Sequence, residues 1–345
     1  MKQTKHLYII SRADEKIGLG HLIRCFNIAK FFEKDFENIT FVLNRDAKKF
    51  VNYYKKSFNF KKKTVFRFSK TNSIESIDKK IKSIVSSNTV NYLLIDIENF
   101  SKKYESNLKK IFNKQIILDD FLKKNHPSDL VLCSNERETD SYLKKFNRKK
   151  EDVFASPSIC LLNKINKSFK KKSKKLKSVL VYLGTNDKYE VALKVLKTLR
   201  KRKNLKIYFI NGENKYLDKV KNIAADRDDI FIYERLPSLD EIYKKVDFAI
   251  GACGISQWER ILYEIPSLIT STSRNQNEDC SILSLQGSAV FLGKSYLLNE
   301  KILDEKIDFF LRKNKHTKMY TCIEKIRKKL KKDSEIFKYL FLKSS

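Results

Sequence analysis

The stretch LYIISRADEKIGLGHLIRC (residues 7–25) decides how the chain reads. It opens on an apolar, β-branched run, Leu7 to Ile10, passes through Ser11-Arg12-Ala13-Asp14, and turns at Gly18 and Gly20. From Leu22 the apolar residues (Leu22, Phe26, Ala29) take helical spacing. Strand, glycine turn and helix in that order open a βαβ unit. Gly18 and Gly20 let the backbone pass close to a ligand, and the free N–H groups of the new helix favour an anion. His21 falls in the first helical turn, at the carboxyl end of the strand. A helix N-terminus disfavours the charged ring, which is the condition a general base needs. The same residues also read as a glycine turn with a structural histidine cap, and a lone G-x-G does not choose between the two.

Outward from this stretch the alternation repeats. Strand-like runs occur at Ile39–Leu43, Thr64–Phe68, Tyr92–Ile95, Gln115–Leu118 and Leu130–Cys133, with helical spacing between them, as at Ile74, Ile77, Ile81 and Ile84. Residues 163–177 are polar, basic and aperiodic. A second series then begins, with strands near Val179–Leu183, Ile207–Ile210, Ile230–Tyr233, Asp247–Ile250, Ser267–Thr270 and Ala289–Leu292. The fold class that follows is α/β: two doubly wound Rossmann-like domains facing a central cleft, followed by C-terminal helices. The expected boundaries are 1–165, a basic linker over 166–177, a second domain over 178–310, and basic helices over 311–345 that pack across the back of the domains.

The second series carries its own glycine turns. Gly251-Ala252-Cys253-Gly254-Ile255-Ser256-Gln257-Trp258-Glu259-Arg260 follows a strand and enters a helix, so its N–H groups suit a diphosphate. Glu259, one turn in, is placed to accept hydrogen bonds from a ribose diol, while Trp258 reads as a core aromatic. Leu183-Gly184-Thr185-Asn186-Asp187 follows the first strand of this half, and Asp187 reads as a helix N-cap. Arg274-Asn275-Gln276 stands at a further helix start, either as turn residues or as holders of substrate hydroxyl or acetamido groups.

Composition narrows the classes. The chain has 345 residues, 41% of them hydrophobic, and six scattered cysteines without a CxxC pair. A disulfide framework or a zinc site is therefore not expected, and no metal or cofactor is implied. The net charge of +32 comes mostly from dispersed Lys rather than Arg. That pattern points to solvated helix faces and not to base recognition, so no specific nucleic-acid partner is expected. No run is apolar enough to span a membrane, and Met1–Lys5 leads straight into a strand without a signal-peptide pattern. The expectation is a cytoplasmic protein.

Taken together, these segments resemble a known family. The pattern Arg12, Asp14, Ile17-Gly18, Gly20-His21, Arg24-Cys25 is similar to the signature of UDP-2,4-diacetamido-2,4,6-trideoxy-β-L-altropyranose hydrolases of pseudaminic acid biosynthesis. Gly251 through Arg260 with Pro266-Ser267, the pair Asn275-Gln276, and Asp119-Asp120, His126, Asp129-Leu130 match further motifs of that family, in order from about residue 7 to about residue 292. The resemblance implies a GT-B architecture related to peptidoglycan N-acetylglucosaminyltransferases. It implies that His21 activates water at the anomeric carbon with inversion, and that Asn275 orients the sugar. Arg12, Asp14, Gly18, Gly20, Arg24 and Gln276 would line the sugar, and Gly184, Thr185, Gly251, Gly254, Ile255, Ser256 and Glu259 would hold UDP. The partner expected is a small-molecule UDP-sugar. Glu98 stands where the family has a tyrosine, Cys253 replaces a small nest residue, and Asn163 ends a degraded connector, so the sugar pocket differs. The alternative is a GT-B glycosyltransferase using a UDP-sugar donor, for which Phe31, Phe32, Tyr53, Tyr54 and Phe58 would form an acceptor surface unless they serve the core.

Overall fold

In the computed structural model each of these apolar runs becomes a parallel strand. The structure describes residues 4–14, 19–60, 63–165, 175–184, 187–212, 217–234, 236–274, 276–312 and 315–343. The chain divides into two compact units, Met1–Asn166 with Leu330–Ser345, and Lys167–Lys329. Most of the expected linker, residues 166–174, lies outside the described residues.

The first unit is built on a seven-stranded sheet: β1 (Lys5–Ser11), β2 (Asn38–Leu43), β3 (Thr64–Phe68), β4 (Val90–Asp96), β5 (Lys114–Leu118), β6 (Leu130–Cys133) and β7 (Val153–Ala155). Their order is β3-β2-β1-β4-β5-β6-β7, with every pairing parallel. Parallel strands need covered faces, and the alternation of side chains along β1 supplies two cores. Leu7 and Ile9 join one cluster with residues of α1 (Gly20–Phe31) and α2 (Ala47–Phe58). Tyr8 and Ile10 join another with α3 (Ile74–Lys82), α4 (Lys102–Lys109) and α5 (Asp140–Phe146). β7 was not anticipated, because three residues are too few to show a period.

The second unit repeats the plan with six parallel strands: β8 (Ser178–Tyr182), β9 (Lys206–Ile210), β10 (Ile230–Tyr233), β11 (Phe248–Ala252), β12 (Ser267–Ser271) and β13 (Ala289–Lys294), ordered β10-β9-β8-β11-β12-β13. Its helices are α6 (Val191–Arg200), α7 (Leu217–Ala224), the single turn α8 (Asp240–Tyr243), α9 (Ile255–Leu262), α10 (Gln276–Leu285) and α11 (Glu300–Arg312). In each unit the strand order reverses once, between β1 and β4 and between β8 and β11. In open α/β sheets, ligands bind at the carboxyl ends of the strands flanking such a reversal.

The last helix, α12 (Lys315–Leu342), is not merely a surface addition. Phe337 and Phe341 are fully buried in the first unit's core. Phe341 stacks on Phe32 at 4.2 Å, and the buried Lys114 ammonium donates to the Leu340 carbonyl at 2.7 Å. The aromatic residues considered for an acceptor surface largely serve the same core. Phe32 and Tyr54 belong to it, Phe31 and Phe58 pack against it, and Tyr53 alone of the five is exposed. Among the described residues no helix is long and apolar enough to cross a membrane. Phe341→Ala should cost about 3–5 kcal/mol, the usual range for emptying a buried aromatic site. Urea unfolding of the full chain checks this, and an unchanged midpoint would show that α12 adds nothing to the core.

Candidate active site

At the reversal of the first sheet, β1 and β4 run side by side, and Ser11 pairs with Asp96 in the register. Asp96 is the last residue of β4 and is 1% exposed. Helix α1 starts just beyond β1 with no side-chain cap and no acidic residue in its first turn. Its first turn sets His21 beside the buried carboxylate of Asp96. His21 Nδ1 lies 2.6 Å from Asp96 Oδ1. That contact needs a proton between the two atoms, which places one on Nδ1.

One turn along α1, Arg24 reaches the same carboxylate. Its Nε donates to Asp96 Oδ2 at 2.6 Å and its Nη2 to Asp96 Oδ1 at 2.5 Å. Nη1 donates to Asp120 Oδ2 at 2.6 Å and to Ser134 Oγ at 2.8 Å. The Ser134 hydroxyl in turn donates to Asp120 Oδ1 at 2.7 Å. Burial works against ionising Asp96, but Arg24 and His21 outweigh it and hold the carboxyl well below the usual carboxylate range. Burial likewise opposes the charge on Arg24, while Asp120 and Asp96 raise its pKa well above the ordinary value. Two carboxylates against one guanidinium leave an excess negative charge beside His21. Cys25 donates from Sγ to Asp96 Oδ2 at 3.4 Å, and burial pushes its thiol far up, so it is no nucleophile.

Arg24 was expected to touch the sugar. Its side chain is instead buried and its nitrogens are committed to Asp96, Asp120 and Ser134, so it acts on the site through His21's partner. Arg12 and Asp14 are partly exposed, with Nη2 and Oδ2 3.9 Å apart. The loop that carries them is pinned by the buried Asn44, which accepts from the Ala13 N–H at 3.0 Å and donates to the Ala13 carbonyl at 3.1 Å. Gly20 is exposed, and a Cβ there would meet nothing within 4 Å. Gly18 lies outside the described residues.

In the second unit, Gly184 and Gly254 follow the two strands at the reversal. Gly184 has a φ of +83° with open space around it, the left-handed backbone that favours glycine. The N-cap position of α6 is Glu190 and not Asp187 as expected, but the Asp187 carboxylate reaches the helix start from three residues earlier, accepting from Val191 N at 2.9 Å and Ala192 N at 2.7 Å. That end is thereby occupied by a carboxylate. Helix α9 differs, since Gly254 provides no side-chain cap and its first turn has no acidic residue. Ile255 and Ser256 are partly exposed there. Gln276, at the start of α10, accepts from Thr272 N at 3.0 Å and Thr272 Oγ1 at 3.1 Å through Oε1. Its amide nitrogen then lies 3.5 Å from where a Gly254 side chain would begin. Glu259 accepts from the Tyr243 hydroxyl at 3.0 Å. Asn275 and Thr185 lie outside the described residues.

Two residues of this segment have other roles than expected. Gly251 is enclosed: a Cβ there would stand 2.3 Å from the Tyr182 carbonyl and 2.7 Å from Arg260 Nη1, so this glycine serves close packing and not a ligand. Arg260, quoted only as part of the motif, is fully buried. It donates to Gln257 Oε1 at 2.6 and 2.9 Å and to the Ala252 carbonyl at 2.8 Å. Among the described residues it forms no salt bridge; burial opposes its charge and lowers its pKa, an effect that neighbours including Glu259 partly offset. Trp258 is a core residue, 3% exposed, as anticipated.

No protein-family model matches the chain. It is 22% identical over 309 residues to the spore coat polysaccharide biosynthesis protein SpsG of Bacillus subtilis strain 168, covering 86% of each chain. It is 24% identical over 286 residues to an uncharacterized protein, MJ1062, of Methanocaldococcus jannaschii, where the match spans 78% of this chain but 56% of that protein. Among solved structures it is similar to a UDP-glucosyltransferase from Polygonum tinctorium, with a TM-score of 0.67 at 10% identity over 100% of both chains. It is also similar to S. aureus MnaA solved with UDP, with a TM-score of 0.63 at 14% identity over 92% of this chain and 91% of the other. At such identities the likeness speaks for the fold, and the two parallel-sheet Rossmann-like units are those of the GT-B glycosyltransferase structures.

Proposed function

We propose that the chain transfers the glycosyl group of a UDP-sugar, with His21 as the base that deprotonates the acceptor. The observation that carries this reading is the 2.6 Å contact between His21 Nδ1 and the buried Asp96, which leaves Nε2 free to take a proton. The acceptor's O–H proton passes to Nε2, and Asp96 offsets the charge that forms. The acceptor oxygen bonds to the anomeric carbon while the bond from that carbon to the diphosphate oxygen breaks, its electron pair leaving with UDP. Within the second unit, the uncapped start of α9, the Gln276 amide and the buried Arg260 charge are groups suited to a diphosphate. Glu259, oriented by Tyr243, is the candidate partner of the ribose hydroxyls. In this form the displacement takes one step and inverts the anomeric carbon. Similarity to a polysaccharide biosynthesis protein and to a UDP-glucosyltransferase supports transfer.

Hydrolysis is the same chemistry with water as acceptor. It is favoured by the four motifs that follow, in order, those of the deoxy-diacetamido sugar hydrolases, including His21 and the Asn275-Gln276 pair. UDP release from a panel of UDP-sugars, with and without added sugar acceptors, separates the two. Release without an acceptor identifies a hydrolase, whereas release that needs one identifies a transferase.

His21→Ala should lower turnover by roughly 10²–10⁴-fold, the usual contribution of a general base, while calorimetry finds UDP affinity unchanged. Asp96→Asn should lower turnover by at least roughly 10²-fold through loss of the correct tautomer. Full activity in either variant would remove the pair from the mechanism. Gln276→Ala should raise the UDP Kd about tenfold, as expected for one hydrogen bond to a charged group. An unchanged Kd would place the diphosphate elsewhere.

A further inference from the structure

The turn after β5 carries two consecutive carboxylates with different tasks. Asp120 faces inward to Arg24 and Ser134. Asp119 faces the other way, accepting from Phe121 N at 3.0 Å and Lys123 N at 3.1 Å, so it shapes the turn itself. Its Oδ2 also lies 3.3 Å from Nε2 of His126. On its other side, His126 presents Nδ1 to both oxygens of Glu105, at 3.0 and 3.1 Å. His126 is 6% exposed and Glu105, on α4, is 1% exposed.

We infer that His126 is a positioning residue for His21: a buried imidazolium that holds the Asp119–Asp120 turn on which Arg24, and through it Asp96, is seated. The inference rests on the reading of His21 as the base. A neutral imidazole has one N–H and satisfies one of the two carboxylates, turning a lone pair toward the other. The cation donates to both. Around it, Tyr142 of α5 gives its hydroxyl to the Lys124 carbonyl at 2.8 Å, and Arg148 donates to the carbonyls of His126 and Ser128. At the far end of the loop Lys109 pairs with Asp129. The acidic groups facing the ring are thus Glu105 and Asp119, while the basic Arg148 meets its backbone. From Asp119 the path to the base is short: one peptide bond to Asp120, 2.6 Å to Arg24, 2.5 Å to Asp96 and 2.6 Å to His21.

Burial opposes the charge on His126, but Asp119 and Glu105 outweigh it and raise its pKa above the ordinary 6.5. The sign follows. A folded-state pKa above the unfolded one gives stability that is complete below the unfolded value and is lost as pH rises through the folded one. On the alkaline side the turn loosens and the seat of Arg24 goes with it.

Histidine NMR of the full chain tests this, because four histidines are few enough to resolve. The proton shared by His21 and Asp96 should give a downfield resonance that broadens as His126 titrates and is shifted or lost at every pH in His126→Gln. The melting temperature of the wild type should fall over the same pH window, and that of His126→Gln should start lower and stay flat. Should that variant fold poorly, Glu105→Gln removes one carboxylate and should move both transitions to lower pH. In UDP release from the preferred UDP-sugar, His126→Gln should lose roughly 10–100-fold in kcat with little change in KM, the mark of a displaced base. A His21 resonance indifferent to both substitutions would overturn the inference, as would wild-type kcat in His126→Gln alongside altered melting. If the wild type releases no UDP, the reading of His21 as base fails separately, and the resonance and melting experiments still decide whether His126 holds the turn.

Discussion

The guanidinium of Arg24 is the constraint on which the candidate site depends. A buried arginine must find acceptors for its donors, and here they come from three strand ends: Asp96 closing β4, Asp120 after β5 and Ser134 after β6. These residues are far apart in sequence, and a single planar fork fixes their separation. Lysine would not replace it, because one ammonium cannot bridge two carboxylates and a hydroxyl with directed bonds. Truncating either acidic partner would leave charge buried without compensation, the expensive way to break such a network. The geometry of His21 is therefore inherited, set by a side chain that is itself buried.

The division of labour between the two basic residue types follows the same physics. Lysines crowd the exposed faces, whereas the buried basic positions described above belong mostly to arginine. Arg227 shows the pattern away from the site: its guanidinium gathers the carbonyls of Arg200, Arg202 and Leu205 near the end of α6 and pairs with Asp229. The large net charge thus says little about the interior, where a few planar cations do specific work.

How much of this was legible in the sequence depended on range. Twelve of the strands were visible because each is a short apolar run between turn residues, and the period changes at each boundary. The burial of Trp258 was also readable, and Asp187 was rightly placed at the start of α6 though not at its N-cap position, since both are decided within about one turn of chain. What stayed hidden was long-range pairing. Asp96 was given no role from the sequence, because nothing local tells a strand-ending aspartate that its partner is 75 residues away. Arg24 looked like a ligand contact for the same reason. Gly251 was misread because a glycine that admits a neighbouring backbone and one that admits a phosphate look alike until the neighbour is placed. Glycine spacing is a signal of close approach, and the approaching group has to be found in three dimensions.

The burial of Phe337 and Phe341 against Phe32 also imposes an order on synthesis. The strands and helices of the first unit leave the ribosome first, yet the aromatic pair that fills their core is translated some three hundred residues later. Until then the nascent domain waits with an open apolar slot, while the second unit, contiguous in the chain, can close as soon as it has been made. The unit that carries the candidate base therefore cannot complete its core until the second unit, which lies between its two segments in the chain, has been made.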